Sequence, residues 1–142
     1  MTYLLVMMFS VFCCFADDKA ASDAKQKIVK DLSHHTSSTY EEVQFMIESL
    51  KKSINKNDMD KFGDMIAYKI PAKWNSKKKI KNKKFFIKNA HKIVTDKVKK
   101  AILSTKDDLT DLFINSYGIM IGNGEIWFDP SRGGIIAINS LE

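Results

Sequence analysis

The chain has 142 residues, with 23 Lys and Arg against 17 Asp and Glu and a formal net charge of +6. That length suits one domain able to bury its own core. Both cysteines, Cys13 and Cys14, lie in the opening apolar run, so the rest of the chain has neither a disulfide framework nor thiol chemistry.

The opening run is MTYLLVMMFSVFCCF, Met1 to Phe15, apolar apart from Thr2 and Ser10. It is too short to span a bilayer, which takes ~20 residues. Ala16 follows, then Asp17 and Asp18, as at the end of a secretory h-region. No Lys or Arg precedes it. The alternative is a buried N-terminal helix, but DDKAASDAKQK beside it has no amphipathic spacing. A lipid anchor on Cys13 or Cys14 would need small residues before the cysteine, and Val11 and Phe12 stand there instead. The expectation is an exported, periplasmic protein with a signal peptide at 1–16, a polar helical or disordered lead at 17–38 and a domain at 39–142.

SHHTSST breaks the lead. Thr39 with Glu42 three residues on forms a capping box. Val43, Met46, Ile47, Leu50 and Ile54 then recur at helical spacing. NKND ends that helix, and Asp58 caps a shorter one with Met59, Phe62, Met65 and Ile66 on its apolar side. AYKIPAKW reads as extended, and Pro71 makes it an edge or bent strand. After NSKKKIKNKK a helix starts near Asn82, with Phe85, Phe86, Ala90, Ile93 and Val94 on its buried side. Another turn from Asp96 carries Val98, Ala101 and Ile102.

From Leu112 the period changes to two. Asn123-Gly124 signals a two-residue hairpin turn with positive φ at both centres. That register opposes Ile121 to Ile126, Met120 to Trp127 and Ile119 to Phe128. The expected core face carries Phe113, Asn115, Tyr117, Ile119, Ile121, Ile126 and Phe128. The other carries Ser116, Gly118, Met120, Glu125, Trp127 and Asp129. DPSRGG turns the chain into a last strand, IIAIN. A phosphate-cradling glycine loop would run from a strand into a helix. Gly122 and Gly124 run from strand to strand, so they serve the turn.

Helices first, a bent strand, another helix, then a long hairpin and a last strand: this order resembles the nuclear transport factor 2-like superfamily. The segments that carry the resemblance are INKNDMDKFGDMIAYKIP, IKNKKFFIKNAHKI, DLFINSYGIMIGNGEIWF and GIIAIN. They are similar to small exported bacterial proteins of that superfamily. The resemblance implies an α+β fold with N-terminal helices packed on a curved antiparallel sheet, the cone. Some members are isomerase-like or dehydratase-like enzymes with acid and base residues deep in the cone, but no motif of theirs matches here. Others pair through the outer sheet face, which implies a homodimer.

Chemical candidates are few. His34 and His35 are adjacent and diverge on a helix; His91 stands alone among lysines, so no metal site is expected. No cofactor is implied. Tyr117 and Asn115, on the expected core face, are the candidates for a pocket. Met120 and Trp127, side by side on the other face, are the candidates for a partner. The segment 73–100 holds twelve lysines against one carboxylate, Asp96. Lys78, Lys79 and Lys81 lead that run as candidates for an acidic protein or an anionic envelope surface, beside the alternative of a merely solvated face. A nucleic-acid site would add Arg and stacking aromatics, and the only Arg is Arg132. The function expected is non-catalytic binding of a protein partner or an apolar ligand; the alternatives are an enzyme with a pocket inside the cone and an electrostatic binder of the envelope.

Overall fold

The computed structural model describes the backbone of residues 6–141 and the side chains of residues 18–141. Residues 1–5, and the side chains on which cleavage after Ala16 or lipidation of Cys13 and Cys14 would depend, lie outside the described residues. Helices lead: α1 (Val6–His35), α2 (Tyr40–Asn55) and α3 (Met59–Asp64). A short hairpin follows, β1 (Ala72–Trp74) and β2 (Lys78–Ile80), then α4 (Lys83–Ile93) and α5 (Asp96–Ser104). The chain ends in β3 (Phe113–Asn115), β4 (Gly118–Ile121), β5 (Ile126–Asp129), a 3-10 turn (Pro130–Arg132) and β6 (Gly134–Ile138). Among the described residues no helix is long and apolar enough to cross a membrane.

The lead is helical as far as His35. Along α1 the side chains from Asp18 to Lys27 are largely exposed. Ile28 and Leu32, one turn apart, reach the core. The capping box forms: the Glu42 N–H donates to Thr39 Oγ1 (3.2 Å) and the Thr39 N–H to Glu42 Oε2 (2.8 Å). The α2 stripe Val43, Met46, Ile47, Leu50 and Ile54 is buried. Asp58 caps α3 by accepting the Lys61 N–H (3.0 Å), and Asn82 caps α4 by accepting the Phe85 N–H (2.8 Å). Phe62 of α3 and Phe86 of α4 stack with centroids 5.5 Å apart, which locks the two helices together.

The strands make one sheet in the order β2-β1-β6-β5-β4-β3. It departs from the expected antiparallel sheet because β1 runs parallel to β6, pairing Trp74 with Ile138. NSKKKIKNKK hides a strand, β2, so β1 lies inside the sheet and Pro71 precedes it in a turn. Ile80 is the only apolar residue of β2, too little for an alternation to show through the lysines. The turn between them places Asn75 and Ser76 at φ 50° and 59°, a region that Asn enters more readily than most residues.

A further departure decides which residues face outward. The stretch from Phe113 to Ile121 is two strands, because the chain reverses at Ser116-Tyr117 and pairs Asn115 with Gly118, Ile114 with Ile119 and Phe113 with Met120. Reversal puts Phe113 on the side of Met120, away from the core. Phe113 and Tyr117 are 53% and 41% exposed. The inner face is Ile119, Ile121, Ile126, Phe128, Ile135 and Ile138, all without solvent exposure.

The β4–β5 register is as the Asn-Gly signal implies: Ile119 opposite Phe128, Met120 opposite Trp127, Ile121 opposite Ile126. The turn itself differs. Positive φ falls on Gly122 (67°) and Gly124 (104°) and not on Asn123, so this is a wider connection than a primed two-residue turn. Glu125 shapes it. Its carboxylate folds back to accept the Asn123 N–H (2.5 Å) and lies 3.7 Å from the Lys97 ammonium. A Cβ on Gly122 would collide with that carboxylate. Glu125 and Asp129, expected on the open face, are both buried.

Candidate functional site: the outer face of the sheet

Strand pairing aligns one row of residues across all six strands. Lys79 opposes Lys73, Lys73 opposes Ala137, Ala137 opposes Trp127, Trp127 opposes Met120 and Met120 opposes Phe113. Directly opposed residues share a face, so the row is a single surface, roughly 24 Å from β2 to β3 at the usual strand spacing. One flank is cationic and the other aromatic.

The aromatic flank is a cluster. The Tyr117 ring meets Trp127 edge-on at 4.9 Å between centroids, and Phe113 meets it edge-on at 6.5 Å. Edge-to-face pairs of this kind hold rings in fixed orientation. Met120 and Trp127 are half-buried by their neighbours, while Phe113 and Tyr117 remain open to solvent.

The turn under Tyr117 is held from two sides. Asn115 Oδ1 accepts the backbone N–H groups of Tyr117 (2.8 Å) and Gly118 (3.3 Å). Arg132 donates from its guanidinium to the Tyr117 carbonyl and, through Nε, to Asp129 Oδ2 (3.1 Å). Asp129 is 4% exposed. Its other oxygen accepts from Ser38 Oγ (2.8 Å), Ser131 Oγ (2.7 Å) and the Ser131 N–H (3.0 Å). The sole arginine thus ties a buried carboxylate hub to the turn that carries Tyr117.

On the cationic flank, Lys73 and Lys79 are exposed and bond to no carboxylate among the described residues. Other lysines of the run are engaged inside the domain. Lys83 bridges Asp60 (2.8 Å) and Asp64 (2.6 Å), and these bonds push its ammonium pKa above the ordinary lysine value. Lys99 lies 3.3 Å from Asp96. Lys78 points to the opposite side of β2, its ammonium 5.0 Å from the centre of the Trp74 ring.

The sequence-derived candidates are therefore redistributed. Met120 and Trp127 stand together on the open face, joined by Lys79 but not by Lys78. Lys81 is exposed just beyond β2. Tyr117 and Asn115 meet in a turn and not in the interior: the Tyr117 ring joins the outer cluster and the Asn115 oxygen is taken up by backbone. Phe113, Lys73 and Arg132 are the residues that sequence reasoning missed here. The signal for the first was Asn115-Ser116-Tyr117-Gly118, whose Asn and Gly are turn residues.

Concavities also lie elsewhere among the described residues. A cleft of about 510 Å³ between α2 and α3 is lined by Lys52, Lys56, Lys61, Asp58, Asp64 and their neighbours. Both carboxylates already have structural partners, since Asp58 caps α3 and Asp64 holds Lys83. A polar cavity of about 370 Å³ gathers His34, His35, Ser116, Ser131, Arg132 and Asp129. Asp129 there accepts from four donors. Among the described residues no three His, Cys, Asp or Glu side chains converge as a metal site would require.

Comparison with protein-family models, with curated proteins and with solved structures gave no match.

Proposed function

We propose that this chain is a small exported binding module of the nuclear transport factor 2-like kind, which holds a partner on the outer face of its sheet and performs no catalysis. The observation that carries this reading is the row from Lys79 to Phe113. A buried inner face already satisfies the fold, yet the opposite face of the same strands keeps a Trp, a Tyr, a Phe and a Met in contact with water. Trp, Tyr, Phe and Met are the types enriched at interface cores. Export is supported by the apolar run Met1 to Phe15 ahead of Ala16, and the superfamily reading by helices that lead into one sheet bent at the Trp127/Phe128 bulge.

The test is Trp127→Glu. Wild type associates with itself or with envelope material, and the variant sediments as a folded monomer that captures neither, because an unpaired charge enters a desolvated contact. An unfolded variant would place Trp127 in the core, and unchanged association would remove the outer face from the function. For export, N-terminal sequencing of protein from intact cells begins at Asp17; a chain beginning at Met1 contradicts it.

A further inference from the structure

The row across the outer face has chemistry at both ends, and its two halves call for one kind of partner. Lys73 and Lys79 oppose each other directly across β1 and β2. Like charges in that position repel, and neither has a carboxylate among the described residues. Lys77 and Lys81, also exposed, extend the same positive edge before and after β2. At the other end, Trp127 and Tyr117 each present an apolar ring with a polar tip, beside Phe113 and Met120.

Resting on the proposed outer-face reading, we infer that this face docks on an anionic phospholipid surface. Phe113, Tyr117, Met120 and Trp127 enter the headgroup layer while Lys73 and Lys79 meet the phosphates. Three observations favour lipid over an acidic protein. Trp and Tyr are the residues that settle at bilayer interfaces, where one end of the ring is apolar and the other wet. The free cations are exposed lysines clustered on one flank, and such clusters are drawn to the diffuse negative field of an anionic leaflet. The one arginine is directed away from the row, to Asp129 and the Tyr117 carbonyl. Finally, the row crosses six strands as a continuous face, which presents a surface to a surface.

The only tryptophans are Trp74 and Trp127. Trp74 is 8% exposed, with its indole N–H on Ser140 Oγ (2.8 Å), so lipid contact on the outer face reports through Trp127. The full chain is mixed with phosphatidylcholine vesicles that carry brominated acyl chains, with or without phosphatidylglycerol. Bromine quenches the emission when phosphatidylglycerol is present, and the quenching disappears in Trp127→Phe. A Lys73→Gln/Lys79→Gln double variant shifts the vesicle titration roughly tenfold or more to higher lipid, at the usual contribution of a lysine near an anionic surface. Removing the same charge from α4 with Lys88→Gln/Lys92→Gln leaves the titration within about twofold, since the lysine contribution is local to the contacting surface.

Several results overturn the inference. One is emission that phosphatidylglycerol leaves unchanged. Another is quenching that persists in Trp127→Phe, and a third is an equal shift from the α4 pair. If vesicles leave Trp127 untouched while Trp127→Glu still abolishes capture of envelope protein, the lipid inference fails and the outer-face reading stands. If Trp127→Glu changes neither, both fail.

Discussion

Trp127 and Phe128 are consecutive on β5 and meet opposite worlds. Phe128 lies without exposure between Ile119 and Ile135; Trp127 stands half-open between Tyr117 and Phe113. The inner face is aliphatic apart from Phe128 and Trp74, and it is buried. The outer face is aromatic at one end, cationic at the other, and unfinished. On the proposed reading, the inner residues of this strand supply stability and Trp127 is left for recognition.

The largest loss should come from the inner face. Phe128→Ala should cost about 3–5 kcal/mol, the usual range for emptying a core aromatic site. Urea unfolding of the variant measures it; a loss below about 1 kcal/mol would mean that the inner face is not the core, against its complete burial. Asp129→Ala comes next. It strands the donors of Ser38, Ser131 and Arg132 and should cost about 2–3 kcal/mol. Because Arg132 also holds the Tyr117 carbonyl, the same variant should loosen the outer cluster. Trp127 emission should then shift red, and a change in stability without that shift would separate the hub from the face.

Trp127→Glu should be milder for folding. It loses two edge-to-face contacts, about 1–3 kcal/mol in all, while binding disappears. Similar unfolding midpoints for Trp127→Glu and Phe128→Ala would erase the distinction between the faces.

The smallest effect is on the helix side. Tyr68 donates to the Gly63 carbonyl (2.8 Å), and burial pushes its phenol pKa up to about 12, against a weaker lowering by Lys83. The folded state therefore favours the neutral phenol. That contribution is fully present below the unfolded value of about 10 and is lost as pH rises from there to about 12. Tyr68→Phe should flatten part of the alkaline fall in stability, read as urea midpoints at about pH 9 and pH 11. An unchanged slope would show that the phenol is not coupled to folding.

The sequence made the helix layer legible residue by residue. The Thr39–Glu42 box, the caps at Asp58 and Asn82, and the α2 stripe all depend on contacts three or four residues apart, and local spacing encodes them. The inner residues of the β4–β5 hairpin were legible for the same reason. What escaped was parity. Reading Phe113 to Ile121 as one strand carried the alternation through the turn at Ser116-Tyr117, and a missed reversal exchanges the faces of everything before it. Phe113 and Tyr117 were thereby assigned to the core. The β2 strand escaped because its lysines gave no apolar period. The join of β1 to β6, which aligns Lys73 with Trp127, pairs residues too far apart in sequence for any local signal. The candidate site was half visible, as Met120 beside Trp127; its cationic flank needed the topology.

Amine labelling with a lysine-acylating reagent, in the presence and absence of the cell envelope fraction, tests the central claim most directly. The account predicts that the envelope protects Lys73 and Lys79, the two lysines in register with Trp127, while Lys88 and Lys92 on α4 react at the same rate with and without it. Protection of Lys88 and Lys92 with Lys73 and Lys79 left reactive would place the binding surface on the helices and contradict the account.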